Sequence, residues 1–273
     1  MAFSVNTNAG ALTALQNLGK SSKALQLSQS RINTGLKVSS AKDNAAVFNI
    51  AQGLKADKAG LSAVSTSLDR AKSVLDVTIA AAETISDIMI EIRSLSVAAS
   101  DTGMDQESRD ALFQDFLNYS QTIDSTAELA EFSGTKLLTN DASQTSAIID
   151  ADGNNTITVT GQDMTMDYFQ YGLPNANFNN ATNSAFMVTL ADNALDKIEE
   201  GLSQFGAKSK RIDQLIKFND KLNDSIEVGI GNLVDADLAR ESAQLQSNQV
   251  KQQLGLQALG IANQAPQAVL SLF

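Results

Sequence analysis

Apolar side chains recur at alternating intervals of three and four residues over most of the chain. This spacing is typical of amphipathic helices that pack in bundles and coiled coils. In the first long region the spacing is kept if Asp57 and Thr78 fill two gaps. The series contains Ile50, Leu54, Leu61, Val64, Leu68, Ala71, Leu75, Ala82, Ile85, Met89 and Ile92. The first proline is Pro174, so we predict one continuous helix over residues 45–99, about 80 Å long at about 1.5 Å per residue.

A second helix should follow a break at Gly103. Asp105 is a suitable N-cap residue, and Glu107 would place a negative charge in the first helical turn. The apolar face of this helix contains Leu112, Phe116, Tyr119, Ile123 and Ala127. The short run at residues 132–138 then leaves the helix through Gly134.

Residues 141–183 differ in composition and are rich in Asn, Asp, Thr, Ser and Gly. Alternating short runs at 146–149 and 156–160 predict two strands, and residues 150–155 have the composition of a hairpin turn. We interpret this segment as a small, exposed, partly β insertion.

Helical spacing returns after the insertion and continues to the end of the chain. The returning helix carries Val188, Ala191, Leu195, Ile198, Leu202, Phe205, Ile212, Ile216, Leu222, Ile226, Ile230 and Leu233. The last helix, from about residue 236, carries Leu238, Leu245, Leu254, Ile261 and Ala268, with small residues Ala258, Ala262 and Ala265 beside them. The N-terminal region matches it with Leu15, Leu18, Leu25, Ile32 and Leu36.

These elements predict a mainly α fold, a long antiparallel helical bundle or coiled coil with paired terminal helices and a small, partly β insertion. We predict three parts. Residues 1–40 and 235–273 form a terminal coiled coil, residues 41–140 and 184–234 form the bundle core, and residues 141–183 form the insertion.

Composition disfavours catalysis and several kinds of partner. The 273 residues include no histidine, cysteine or tryptophan, which removes the usual near-neutral base, the thiol nucleophile and the common zinc ligands. The net charge of −11 and the scattered basic residues disfavour nucleic acid and anionic membranes. The first residues do not resemble a cleaved signal peptide, and no apolar run is long enough for a membrane span. We expect no cofactor and no membrane insertion.

Two local motifs could suggest a calcium site or a nucleophile, but each has a simpler structural interpretation. Residues 150–154 resemble the start of a calcium loop, but Asn155 and Gly161 stand where an EF-hand needs glycine and glutamate. A turn is the better interpretation. Ser39 and Ser40 lie near Lys42, and we interpret one of these serines as a helix N-cap rather than as a nucleophile.

The apolar ends of the chain predict self-association. Two helices beyond the main bundle bury too little surface to offset the entropy of ordering them, and chain ends are normally polar. We therefore expect these ends to pack together and against other copies in a filament. The predicted assembly residues are Leu15, Leu18, Leu25, Ile32, Leu36, Leu245, Leu254, Ala258, Ile261, Ala265, Leu270, Leu272 and Phe273.

Four sequence blocks resemble the bacterial flagellins, in the right order and over about the first 140 and last 85 residues. They are SRINTGLKVSSAKDNAA at 30–46, FSGTKLL at 132–138, DADLARE at 235–241 and ANQAPQAVLSLF at 262–273. The short middle is similar to the short alphaproteobacterial type. The residues that carry this signature are Arg31, Gly35, Ala41, Asp43, Gly134, Asp235, Asp237 and Pro266.

The resemblance implies a structural subunit of an extracellular flagellar filament, exported unfolded by a type III apparatus without a cleaved signal peptide. It implies copies of the chain or paralogous flagellins, hook-associated proteins and a cap protein as partners. It also implies a cytosolic chaperone that covers the last helix before export. In the filament the terminal helices would form the inner tube.

Two segments depart from the family pattern. Residues 45–51 read AAVFNIA where many flagellins have a glycine. Flagellins recognised by the mammalian innate receptor carry Arg-x-Arg-Glu-Leu in the first long helix, whereas this chain has Glu91, Arg93 and Leu95 in EIRSL. The charge reversal at Glu91 predicts weak recognition.

Two other classes of protein share some of these features. A coiled-coil tip or adaptor protein of a secretion system would have the same helical spacing, but it would bind at a small fixed stoichiometry. An enzyme with a carboxylate-bound metal would show metal-dependent thermal stability.

Overall fold

The computed structural model describes residues 7–141, 144–169 and 177–270, with side chains described to residue 264 in the last helix. Its helices are α1 (Ala9–Thr34), α2 (Ala45–Ala99), α3 (Gln106–Leu129), α4 (Met166–Phe169), α5 (Ala181–Val234) and α6 (Leu238–Leu270). Its strands are β1 (Glu131–Phe132), β2 (Thr135–Lys136), β3 (Gln144–Ile148) and β4 (Thr156–Thr160). The predicted helix over residues 45–99 is confirmed.

The chain divides into two compact units. Residues 1–56 and 225–273 form what we call the terminal unit, and residues 57–224 form the central unit. The division predicted from the sequence has different boundaries and a separate insertion, and it stays a prediction.

The central unit is built on α2 and α5, which run antiparallel. Lys72 Nζ lies 2.9 Å from an Asp213 carboxylate oxygen, and Asn219 Nδ2 donates to the Leu61 carbonyl at 3.0 Å. The α2 face predicted from the spacing is buried from residue 61 to residue 92, and Thr78 is buried in its predicted gap. Its hydroxyl donates to the Val74 carbonyl, which removes the cost of burying an unpaired hydroxyl.

Helix α3 begins as predicted, because the Asp105 carboxylate accepts a hydrogen bond from Ser108 N. The turn before it depends on a residue that the sequence did not single out. Arg109 is buried, and its guanidinium donates to the carbonyls of Ala99, Asp101 and Met104 at 2.6 to 2.7 Å. It therefore satisfies carbonyls at and beyond the end of α2 that lack helical partners.

The segment after α3 forms two hairpins. In β1–β2 the central residues Ser133 and Gly134 both have positive φ, as a type I′ turn requires. In β3–β4, Ser146 pairs with Thr158, close to the predicted strands. The prediction of an exposed insertion is wrong for one face of this second hairpin. Alternation along the strands buries Thr145, Ala147, Ile157 and Val159 against the core of the central unit.

Two glycines allow the insertion to approach the long helices closely. A Cβ atom at Gly60 would lie 2.6 Å from the Ala151 carbonyl oxygen, and one at Gly201 would lie 2.3 Å from Met164 Cε. Neither helix breaks at these residues. The glycines therefore serve packing of the insertion on α2 and α5. The mainly α fold with paired terminal helices and a partly β insertion is confirmed.

Candidate assembly surface on the terminal helices

The two connections at the base of the terminal unit are bonded to each other. Helix α1 ends at Gly35, whose φ of 71° lies in the left-handed region that favours glycine. The next residue, Leu36, forms an antiparallel bridge with Asp235. Lys37 N donates to the Val234 carbonyl at 2.7 Å. The residues that follow α1 and those that follow α5 are thereby fixed beside each other.

The loop before α2 corrects the prediction of a serine N-cap. The side chain of Asn44, not of Ser39 or Ser40, accepts the hydrogen bond from Val47 N. The serines instead donate to Asp43, both from their hydroxyls and from their backbone N–H groups. These bonds, led by the Ser39 hydroxyl, lower the pKa of Asp43 below its ordinary value. Ala41 lies exposed within the same turn.

The apolar core of the terminal unit is small. Among the described residues its buried members are Val38, Ala51 and Val234. Partly buried residues packed against them are Leu36, Val47, Phe48, Ile230 and Leu233. Most of these residues lie at the start of α2 and at the end of α5, and none of them lies on α1 or α6.

Helices α1 and α6 pair antiparallel along their lengths. At one end Asn8 Nδ2 donates to the Ala262 carbonyl at 2.7 Å. Near the middle, Leu18 packs over Gly255, where an added Cβ would lie 3.3 Å from Leu18 Cδ1. At the other end Arg31 Nη1 lies 2.8 Å from Glu241 Oε1.

The face that each terminal helix buries against the other is made largely of small and polar residues. Half-buried or buried positions follow a three-and-four spacing on both helices. On α1 they include Ala11, Ala14, Leu18, Ser21, Leu25, Ser28 and Ile32. On α6 they are Glu241, Leu245, Asn248, Gln252, Gly255, Leu259 and Ala262. Such a seam buries little apolar area, so it contributes little hydrophobic stabilisation.

Several large apolar side chains point away from this seam. Leu254 is 57% exposed and Ile261 is 70% exposed; both are among the predicted assembly residues. Leu15 is also exposed, at 55%. Other exposed apolar residues on the two helices are Leu12, Leu27, Leu238, Val250 and Leu256. We call this set, with Leu15, Leu254 and Ile261, the outer apolar face.

The predicted assembly residues thus fall into three groups. Leu18, Leu25, Ile32 and Leu245 lie half-buried in the seam, and Leu36 lies against the small core. Leu15, Leu254, Ile261 and Ala258 are exposed. Ala265 and Leu270 belong to α6 with undescribed side chains, as does the signature residue Pro266, and Leu272 and Phe273 lie outside the described residues. The sequence predicted contact with the partner helix and with other copies, but it could not say which apolar residues face which, because the periodicity is the same in both cases.

The remaining signature residues occupy turns and helix starts. Gly35 and Gly134 have positive φ, and Asp237 accepts hydrogen bonds from Ala239 N and Arg240 N at the start of α6. Asp235 lies in the bridge with Leu36. Family motifs at these positions therefore coincide with backbone requirements.

The residues of the predicted receptor patch lie on α2 in the central unit. Glu91 and Arg93 are exposed and Leu95 is half-buried. Arg93 Nε donates to an Asp192 carboxylate oxygen on α5. This arginine is therefore already paired within the chain.

The charges of the terminal helices differ from those of the whole chain. Helix α1 contains Lys20, Lys23 and Arg31 and no acidic residue. Helix α6 contains Arg240, Lys251 and the acidic Glu241. The described part of the chain contains no group of acidic residues suited to a metal ion. Within those same residues, no helix is long and apolar enough to cross a membrane.

Comparison with known proteins identifies the class from both halves of the terminal unit. The model of the bacterial flagellin N-terminal helical region matches residues 5–143. The model of the bacterial flagellin C-terminal helical region matches residues 188–273. These matches span most of the chain, including α1, α2, α3, α6 and α5 from residue 188 onward.

Individual similar proteins support the same class. The flagellin FljM of Caulobacter vibrioides is 42% identical over 99% of this chain and 98% of its own length. A flagellin of Brucella melitensis is 35% identical over 99% of each. The crystal structure of a Bacillus cereus flagellin aligns with a TM-score of 0.50 at 21% identity, over 55% of this chain and 86% of that one. The chain belongs to the bacterial flagellin family, and it is a structural subunit of a filament.

Proposed function

We propose that this chain polymerises through the outer apolar face of α1 and α6, forming an extracellular flagellar filament. The observation that carries the proposal is the exposure of large aliphatic side chains along both terminal helices, above all Leu254 and Ile261. Full burial of such a side chain contributes about 1.5–3 kcal/mol. Since the helix pair itself buries mostly small and polar groups, the larger gain comes from a second copy.

The seam and the outer apolar face have separate roles under this proposal. The seam sets the antiparallel pairing of α1 with α6, through contacts such as Asn8 with Ala262 and Arg31 with Glu241. The outer apolar face then contacts other copies of the chain or paralogous flagellins. Leu272 and Phe273 lie outside the described residues, and their part in assembly stays a prediction.

The family relationship supports further partners. We propose that hook-associated and cap proteins contact the filament, and that a cytosolic chaperone covers α6 before export. A chaperone is consistent with the apolar exposure of α6. The family consists of structural proteins, which supports a role without catalysis. An adaptor protein of a secretion system is not favoured, because the matches cover both helical regions that define flagellins.

The proposal is tested with the double variant Leu254→Ser, Ile261→Ser. We expect the critical monomer concentration for filament growth, measured by light scattering on seeded monomer, to rise at least tenfold. The thermal unfolding of the central unit should not change. The matched control is Gln257→Ser, an exposed polar residue on the same helix. Filament growth of the double variant at the concentration of the control would contradict the proposal.

Receptor recognition stays a prediction. The pairing of Arg93 with Asp192 and the negative charge of Glu91 both support weak stimulation. A reporter-cell titration that shows the potency of a strongly stimulatory flagellin would contradict it.

A further inference from the structure

Most exposed apolar residues of the terminal helices form two groups, one on each helix. Residues advance by about 100° around a helix axis, so residues three, four and seven apart share a face. The α1 group, as we call it, consists of Leu12, Leu15 and Leu27. The α6 group consists of Val250, Leu254 and Ile261. Each group occupies one side of its own helix.

The two groups lie on opposite sides of the helix pair. At about 100° per residue, each group is centred about 150° from the seam residues of its own helix, such as Leu18 on α1 and Leu245 on α6. Because the helices run antiparallel, the two rotations have the same sense when the pair is viewed from one end. The two groups therefore point in nearly opposite directions, and neither can cover the other within one copy.

This arrangement limits the contacts that can build a filament. A contact between the same group on two copies is isologous and closes at a dimer. A contact between different groups is heterologous and leaves one free group at each end of the assembly, so it can repeat without closing. The chain is a filament subunit. We propose that the α1 group of one copy docks on the α6 group of the next copy.

The inference rests on the proposed function, because it assumes that copies assemble through the outer apolar face. It adds which part of that face meets which. The direction of growth then follows from the helix pair itself, since each copy presents a different apolar surface on each side.

Gly19 gives the α1 group a recess for a large side chain. It is exposed, it lies between Leu15 and Leu27 along the same side of α1, and a Cβ added to it would have no atom within 4 Å. Glycine in a helix interior lowers helix stability relative to alanine, so it requires another reason. In the seam, Gly255 receives Leu18, whose Cδ1 would lie 3.3 Å from an added Cβ. Gly19 offers similar space to another copy.

The α6 group has the complementary pattern of sizes. Its large residues Leu254 and Ile261 are more than half exposed, and the exposed residues Ser247 and Ala258 beside them are small. A large side chain of α6 can therefore enter the recess at Gly19, while the leucines of the α1 group meet small residues of α6. Close packing of two helices requires such alternation of large and small residues.

Charge disfavours the isologous alternative through α1. Lys20 and Lys23 are exposed beside the α1 group, and α1 contains no acidic residue. Two α1 helices in contact would bring these lysines of both copies close together, and like charges repel. Residues 242–261 of α6 contain a single charged residue, Lys251. The α6 group therefore offers α1 a nearly uncharged surface.

The first test is Gly19→Ala, with Gly53→Ala as the matched control. Both glycines are exposed and helical, and neither has an atom within 4 Å of an added Cβ, but Gly53 lies on α2. Both substitutions should favour the helix. Only Gly19→Ala should raise the critical concentration for seeded filament growth, by about tenfold or more, because its methyl group fills the recess. Equal growth of the two variants would overturn the proposal.

The second test identifies the facing helices directly. The chain has no cysteine, so one cysteine can be placed beside each group, as Gln16→Cys on α1 and Ala258→Cys on α6, both at exposed residues. Filaments copolymerised from the two variants are treated with a short bismaleimide and analysed by mass spectrometry. We expect adducts that join residue 16 of one variant to residue 258 of the other. Filaments of either variant alone should give none.

The outcomes separate this inference from the proposed function. If wild-type monomer forms no filaments, the proposed function fails. If wild type forms filaments, but residue 16 is joined only to residue 16 and residue 258 only to residue 258, the contacts are isologous and this inference alone fails. Copolymers in which neither residue forms an adduct would also overturn it.

Discussion

The central and terminal units have the same helical spacing of apolar residues, but they bury very different amounts of apolar surface. In the central unit 29 of the described residues form one buried apolar cluster, including Leu75, Ile85 and Phe116. In the terminal unit only three form such a cluster. A spacing of three and four thus specifies which residues share a helix face, but not how much apolar area that face buries.

The types of residue at the two helix interfaces explain this difference in buried apolar surface. Where α2 meets the rest of the central unit, the buried residues are mainly Leu, Ile, Val, Met and Ala. Where α1 meets α6, Ser28 and Asn248 are buried, and Gly255 and Gln252 share the same seam. One region is stabilised within the chain, whereas the other keeps its large side chains outside, available to another subunit.

The largest expected contrast between the units is in amide hydrogen exchange of the purified monomer. Amides in residues 1–40 and 235–273 should exchange through local opening, since few apolar contacts oppose it. Amides around Ile85 and Phe116 should exchange only by unfolding of the central unit. We expect exchange rates at least about a thousandfold apart, measured by mass spectrometry. Rates within tenfold of each other would remove the distinction between the units.

Truncation of a core side chain should show the contrast in stability. Phe116→Ala removes a ring whose centroid lies 5.6 Å from that of Phe178 and 5.8 Å from that of Phe113. We expect a loss of about 3–5 kcal/mol in the free energy of unfolding of the central unit, measured by chemical denaturation. Leu18→Ala, in the seam of the terminal unit, should leave that transition unchanged. A similar loss in both variants would mean that the two units unfold together.

Substitution of two glycines, one in α2 and one in α5, distinguishes the effect of close packing from the effect of helix propensity. Gly60→Ala should cost about 1 kcal/mol net, because overpacking against the Ala151 carbonyl outweighs the gain in propensity. Gly206→Ala is the matched control, since no atom lies within 4 Å of its added Cβ. It should stabilise the central unit by about 1 kcal/mol. If both substitutions stabilise to the same degree in thermal denaturation, the insertion does not depend on close approach at Gly60.

The smallest expected effect is a pH dependence confined to the central unit. Burial, followed by nearby carboxylates including Asp167, raises the pKa of Asp124 above its ordinary value of 3.8, although the bond from Met166 N opposes the shift. A raised pKa in the folded state favours the folded state at low pH, and that stabilisation is lost as pH rises through the folded pKa. Asp124→Asn should therefore be more stable than wild type at pH 7. The gap should close as pH falls toward 3.8, measured by denaturation at each pH. A gap that is independent of pH would show that Asp124 does not titrate in this way.

Much of the fold could be predicted from the sequence because its signals are local. Helix α2, the N-cap Asp105 and the two strands, predicted at 146–149 and 156–160, follow from periodicity, capping and turn residues. Other features depended on distant partners. The N-cap Asn44 was missed because several nearby polar residues could serve, and in the structure Asp43 accepts hydrogen bonds from Ser39 and Ser40. Arg109 was missed because its acceptors are backbone carbonyls, which no side-chain pattern reveals.

The candidate site was predicted in kind but not in detail. The apolar ends correctly indicated paired terminal helices, but the sequence did not separate the residues of the seam from exposed ones such as Leu254 and Ile261. Asn248 and Ser28 had no signal at all, because a polar residue in a helix looks like a solvent-facing one until its neighbour is known.

The sequence by itself therefore determined which residues share a helix face, approximately where the helices lie, and to which family the chain belongs. These properties depend on residues close together along the chain or on short motifs. Only the tertiary structure decided which face of α6 meets α1, how the insertion closes onto α2 and α5, and that the α1 group and the α6 group lie on opposite sides of the helix pair. Each of these depends on which distant groups come within contact distance, and an apolar stripe has the same periodicity whether it is covered by its own chain or by another.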